Sequence, residues 1–146
     1  MVLTYKTGDL FTSDADVLVN GVNCYGAMGA GIAVEFKRRF PDMYNIYKRA
    51  CEDGYVKPGT VLVDRLSTPV IFNVAVKNHW QDPSKLEWVD SCLRTVVVQA
   101  REIKAKKVAM PMLGCGLGRL DRKDVLALMH KHFDNCGFEA EVWSLR

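Results

Sequence analysis

Two glycine-rich segments restrict the fold more than any other feature: residues 21–31, GVNCYGAMGAG, and residues 113–118, LGCGLG. Each follows an apolar run and precedes a helical pattern. Glycine opens backbone conformations closed to other residues, so these segments read as tight strand-to-helix loops. Repetition of that unit along a chain is the mark of an α/β domain with helices covering a parallel or mixed sheet.

The remaining pattern agrees. Residues 2–5 (VLTY) and 17–19 (VLV) read as strands, the second ending at Asn20, with the acidic segment 7–16 as a turn region between them. Ile32, Phe36 and Phe40 mark a helical face that stops before Pro41, and a second helical period runs on to about Gly54. Residues 60–64 and 70–76 are strand candidates parted by a turn containing Pro69. The longest helix is expected from Ser84 to about Ala105, with Ser84 as N-cap and Glu87 completing a capping box. Residues 107–112 read as a buried strand, with Pro111 where the ladder has ended. Asp121 can cap a helix carrying Val125, Leu128, Met129 and Phe133, and residues 138–143 make a last strand. The expected architecture is three-layer α/β/α around a mixed, mostly parallel sheet of about six strands. Its ligand crevice should lie beyond the carboxyl ends of the strands, where both glycine loops and Lys77 emerge.

Length and composition narrow the class. A chain of 146 residues supports one domain, residues 1–146, with little room for a second core. Five cysteines, Cys24, Cys51, Cys92, Cys115 and Cys136, are odd in number and never spaced as CxxC, which suits reduced thiols better than a disulfide framework. No metal is expected, because His79, His130 and His132 form no HExxH and have no neighbouring cysteine pair. No segment approaches the roughly 20 apolar residues of a membrane span, and a soluble, cytoplasmic protein is expected. A net charge of +3 would steer an anionic ligand without wrapping a long duplex.

Two glycine loops at helix N-termini can present backbone N–H groups to the two phosphates of a nucleotide-like ligand, although spacing alone fits two tight turns equally well. Neither loop ends in Gly-Lys-Ser/Thr, and GAMGAG lacks the GxGxxG spacing of a dinucleotide fold. Asn20 and Asn23 can hold ribose hydroxyls or cap their own loop. Lys77, leaving an apolar strand into the cleft, can act by its charge or as a base or nucleophile, or be a solvated flank. Lys37, Arg38, Arg39, Lys48 and Arg49 form a locally basic surface near the first loop, compatible with DNA phosphates or with plain solvation.

Gly8-Asp9-Leu10, then DVLVNGVN at 16–23, GAMGAGIA at 26–33 and PMLGCGLGRL at 111–120 resemble successive signatures of the macrodomain family, which binds ADP-ribose. The resemblance spans essentially the whole chain. Within the family it is most similar to the DarG-type antitoxin macrodomains, which remove ADP-ribose from thymidine in DNA, and to the human enzyme that clears terminal ADP-ribose from proteins. The residues behind that choice are MGAGIAVEFKRRFP at 28–41, the Lys77-Asn78-His79-Trp80 segment, and the second loop with Cys115 at its middle.

The resemblance implies that Gly8, Asp9 and Leu10 hold adenine, with Asp9 accepting its amino group, and that Asn20 and Asn23 lie by the distal ribose. Met28, Gly29, Ala30, Gly31 and Ile32 would pass beside that ribose and the diphosphate. Leu113, Gly114, Cys115, Gly116 and Leu117 would close over the diphosphate from the other side. It implies that Lys77 is the catalytic residue, with Asn23 positioning the ribose, and that no cofactor is needed beyond ADP-ribose itself as ligand or product. The human enzyme carries an aspartate where this chain has Gly118, a position at which the DNA-directed relatives carry glycine. His79, Trp80 and Arg119 are candidate contacts to single-stranded DNA.

The implied activity is hydrolysis of ADP-ribose from thymidine in DNA. The other readings are a hydrolase of ADP-ribose 1''-phosphate, O-acetyl-ADP-ribose or protein-linked ADP-ribose, a non-catalytic ADP-ribose reader, and a structural protein. A monomer is expected, with a cognate ADP-ribosyltransferase toxin as possible partner. DarG-type antitoxins carry a further C-terminal region, so a chain of this size is either a lone macrodomain or an excised fragment.

Overall fold

The computed structural model describes residues 2–145. Six strands, β1 (Thr4–Thr7), β2 (Val17–Asn23), β3 (Val61–Asp64), β4 (Val70–Lys77), β5 (Lys107–Pro111) and β6 (Glu139–Ser144), form one sheet in the order β1-β6-β5-β2-β4-β3. Every neighbouring pair is parallel except β3 with β4. Four helices, α1 (Ile32–Arg39), α2 (Pro41–Glu52), α3 (Leu86–Glu102) and α4 (Arg122–Phe133), cover its two faces. The expected three-layer mixed sheet is therefore present.

Period-two alternation divides the core. Val17, Val19, Phe72, Val74 and Val76 pack with α3 and α4 in one cluster. Leu18, Val22, Ile71 and Ala75 pack with α1 and α2 in the other. Strands buried on both faces need near-continuous apolar runs, which explains why residues 17–19 and, apart from the buried Asn73, 70–76 are hydrophobic.

Most boundaries shift by a residue from the sequence reading, and Pro111, expected beyond the ladder, is still in register with Trp143 of β6; four shifts have a clear cause. Strand β2 runs on through Gly21 to Asn23 instead of ending at Asn20, because β4 offers it partners as far as Lys77. Gly21 fits there since a Cβ would stand 3.3 Å from Leu113 Cδ2. Helix α3 begins at Leu86 behind Lys85, with no side-chain cap: Ser84 is drawn away by a hydrogen bond from its N–H to the carbonyl of Gly118, 2.9 Å. The same helix stops at Glu102, as Lys104 adopts a φ of 57° and Ala105 N–H turns back to Ala100 O. Strand β1 starts at Thr4, the Leu3 N–H being taken by Asp134 Oδ1 at 3.0 Å. The Asp121 cap is as expected, its carboxylate accepting from Lys123 N–H at 2.8 Å.

No helix among the described residues is long and apolar enough to cross a membrane.

Candidate functional site

A cavity of about 550 Å³ opens at the carboxyl ends of β2, β4 and β5, the place where parallel α/β sheets bind ligands. Its walls are the first glycine loop, the end of β4 with Trp80 and Ser84, and the second glycine loop. The position follows from register. A bulge between Val22 and Asn23 sets Asn23 opposite Lys77, so the two residues expected to carry chemistry end adjacent strands side by side.

Asn23 builds the first loop. Its Oδ1 accepts from the N–H groups of Tyr25, Gly26 and Ala27 at 3.0, 3.1 and 3.3 Å and from Tyr47 Oη at 3.0 Å, while Nδ2 donates to Ala27 O at 2.9 Å. The fully buried Tyr47 has one hydroxyl hydrogen, shared between Asn23 O at 2.7 Å and Asn23 Oδ1, and Tyr44 Oη donates to Gly26 O at 3.0 Å. The second Nδ2 hydrogen of Asn23 is left without a protein acceptor among the described residues. Beyond this anchor, the N–H groups of residues 28–31 donate no hydrogen bond among the described residues, and neither do those of residues 114–118 in the opposite wall. Two facing rows of unspent donors suit a diphosphate.

Lys77 Nζ donates to Trp80 O at 3.1 Å and forms no ion pair among the described residues. Burial, and next the positive charge of Arg119, hold its ammonium below the ordinary lysine range, with Asp82 opposing. Beside it stands an aromatic ladder: Tyr25 meets His79 edge-on at 4.7 Å, and His79 lies 5.4 Å from Trp80. Trp80 is 49% exposed and Tyr25 61%, and of the three rings Trp80 lines the cavity.

The second loop is packed to the limit at Gly118, where a Cβ would stand 2.5 Å from both Gly114 O and Ser84 Oγ. An aspartate at this position, as the human branch of the resemblance would have it, has no room on this backbone. Gly118→Ala should cost about 1–3 kcal/mol in urea unfolding. An unchanged midpoint would show that the loop yields freely.

Other expected residues lie elsewhere. Asn20 is fully buried beneath the cavity, paired with Asn73 Oδ1 at 3.1 Å and 3.7 Å from Met28 Sδ, and does not line the wall. Asp9 caps the 3₁₀ turn Leu10–Thr12, accepting from Phe11 N–H at 2.9 Å, while Leu10 is core; Gly8, Asp9 and Leu10 stand outside the cavity lining. Cys115 turns its thiol toward Leu113 O at 3.6 Å, and burial raises its pKa. Met28, Gly29, Ala30, Gly31 and Ile32 all line the wall, as do Leu113, Gly114, Gly116 and Leu117. Arg38 and Arg39 of the basic surface both bind Glu35, at 2.8 and 3.0 Å, which spends part of that charge locally. Among the described residues no three His, Cys, Asp or Glu side chains gather as a metal site.

Three residues escaped the sequence reading: Tyr47, Tyr25 and Ser84 in its cavity-lining position. The two tyrosines read as helix face and loop residue, and nothing local signals that they meet Asn23 or His79.

Comparison with known proteins gives a consistent result. The family described as Macro domain matches residues 19–129. The DNA ADP-ribosyl glycohydrolase of Mycobacterium tuberculosis is 44% identical over 128 residues, 85% of this chain and 36% of that protein. The chain thus spans about a third of that relative's length. The solved macrodomain of Mycobacterium tuberculosis DarG superposes with a TM-score of 0.91 at 40% identity, covering 97% of this chain and 96% of that one. Thermosipho africanus DarTG, solved in complex with ADP-ribose, superposes with a TM-score of 0.90 at 28% identity over 98% of this chain and 41% of that one.

Proposed function

This chain belongs to the Macro domain family, and from that premise we propose that it is a DNA ADP-ribosyl glycohydrolase, releasing ADP-ribose from thymidine in single-stranded DNA. The observation that carries the reading is the pairing of Asn23 with Lys77 across β2 and β4 at the mouth of a cavity walled by unspent N–H donors. The N–H rows of residues 28–31 and 114–118 take the diphosphate. Asn23 fixes the first loop and directs its remaining amide hydrogen to the distal ribose. Asp9 holds adenine by its free carboxylate oxygen, at the outer end of the site, and Asn20 acts from below by holding Asn73 and Met28 in place.

In the reaction, water adds to the anomeric carbon, the bond to the thymine base breaks, and the base leaves with the electron pair and takes up a proton. Lys77 assists by opening the sugar or protonating the leaving group, tasks suited to an amine whose burial lowers its pKa from the ordinary lysine value. The bound base and its neighbours stack on Trp80 and His79, with Arg119 reaching phosphate. The chain works as one macrodomain and as a monomer, with no cofactor. An ADP-ribosyltransferase supplies its substrate, and hydrolysis opposes that enzyme by removing its product.

The test is a panel of ADP-ribosyl substrates. Release is expected from thymidine-linked DNA and not from ADP-ribose 1''-phosphate, acetylated ADP-ribose or modified protein; binding of ADP-ribose without turnover of any of them would sink the enzyme reading. Trp80→Ala should raise KM for the DNA substrate about tenfold through lost base stacking, leaving free ADP-ribose affinity within about twofold. Equal losses for both ligands would move Trp80 from the DNA to the ADP-ribose subsite.

A further inference from the structure

Ser84 is a polar residue in an expensive place. It is 5% exposed, its Oγ has no hydrogen-bond partner among the described residues, and it lines the cavity. Its backbone N–H is fixed to Gly118 O at 2.9 Å. The hydroxyl is wedged so closely against the second loop that a Cβ on Gly118 would stand 2.5 Å from it, and one on Gly114 3.4 Å. A buried hydroxyl left unpaired lowers stability, and alanine would fill the same space without that penalty. Asn20 Oδ1 is the other buried unpaired atom among the described residues, but it does not line the cavity. Of the two residues, Ser84 is the one that lines the cavity.

The chemistry selects which part of the ligand. Phosphate oxygens only accept, and the N–H groups of residues 28–31 and 114–118 already supply donors for them. A hydroxyl that can both donate and accept is better matched to a sugar hydroxyl, which does the same. Ser84 also lines the same cavity as Lys77 and lies on the connection between β4, which ends at Lys77, and α3. We propose that Ser84 is a binding residue for the terminal sugar of the ligand, its hydroxyl pairing with a hydroxyl of the distal ribose. This rests on the ADP-ribose reading above and adds a residue to it.

Ser84→Ala separates the outcomes by calorimetric titration with two probes, ADP-ribose and ADP, which lacks the terminal sugar. The variant should bind ADP-ribose about fivefold more weakly, bind ADP as the wild type does, and melt at the same temperature or higher without ligand. Unchanged ADP-ribose affinity overturns the proposal, as does an equal loss for both probes, which would indicate a general effect on the second loop. A lower melting temperature with both affinities intact would make Ser84 structural and overturns it too. Should the wild-type protein fail to bind ADP-ribose at all, the functional reading falls with it; wild-type binding alongside an indifferent variant removes only the role of Ser84.

Discussion

Lys77→Ala is expected to slow release of ADP-ribose from modified thymidine by about 10²–10⁴-fold while leaving ADP-ribose affinity within a few-fold. The asymmetry comes from what Lys77 touches. Among the described residues its ammonium is held by Trp80 O alone, while the N–H groups proposed to take the phosphates lie on other segments. Lys77→Arg should not rescue the rate, because guanidinium keeps the charge but neither gives up its proton nor attacks carbon.

The same residue predicts a pH signature. Burial and Arg119 depress its pKa, so the rate should rise with pH and level off below the ordinary lysine range if the free amine is the working form. Arg119→Asn removes the nearby charge, and asparagine tolerates the left-handed backbone found there, φ 64°. The rising limb should then move to higher pH. Stability carries the matching sign: a lysine whose folded pKa lies below its unfolded value binds fewer protons when folded, so folding improves as pH rises through that window. Lys77→Ala should accordingly melt no lower than the wild type at neutral pH. A variant that loses activity together with stability would place Lys77 among structural residues.

How far the sequence reached is clearest in the strands. Residues 17–19 and 70–76 declare themselves because both faces are buried and nearly every position is apolar, the buried Asn73 being the exception. The end of β2 was hidden, since Asn20, Gly21 and Asn23 look like loop residues until β4 is laid beside them. Asn20 shows the cost of reading such a residue locally: one position earlier or later on a strand reverses the face, and its pairing with Asn73, 53 positions away, is a property of register alone. The glycine loops were legible as loops, because their composition permits little else. What each loop does with its N–H groups was not, for that depends on Asn23 accepting from three of them and leaving the next four unspent. Ser84 was assigned to a helix cap on pattern alone, and the helix begins without it because Gly118 claims its backbone.

Asn23→Ala should be the most damaging single change to the binding wall, costing about 2–4 kcal/mol of stability. Removing Oδ1 leaves three N–H groups without their acceptor, Gly26 N–H among them in a buried residue, while Tyr47 Oη keeps its bond to Asn23 O. The loop then loses the anchor that holds residues 28–31 toward the cavity, and ADP-ribose affinity should fall by more than the tenfold expected for one lost ligand contact. Asn23→Asp sharpens the test. It keeps an acceptor for those N–H groups but gives up the bond to Ala27 O and sets a carboxylate near the diphosphate site. Its stability should lie between alanine and wild type, whereas its affinity should be as poor as alanine's, now through charge repulsion that weakens with added salt. Urea denaturation and titration with ADP-ribose at low and high ionic strength measure both quantities. If alanine left stability intact and cost only affinity, Asn23 would be a ligand contact and not the keystone of the loop; the three N–H groups converging on its Oδ1, with the shared Tyr47 hydroxyl, argue the opposite.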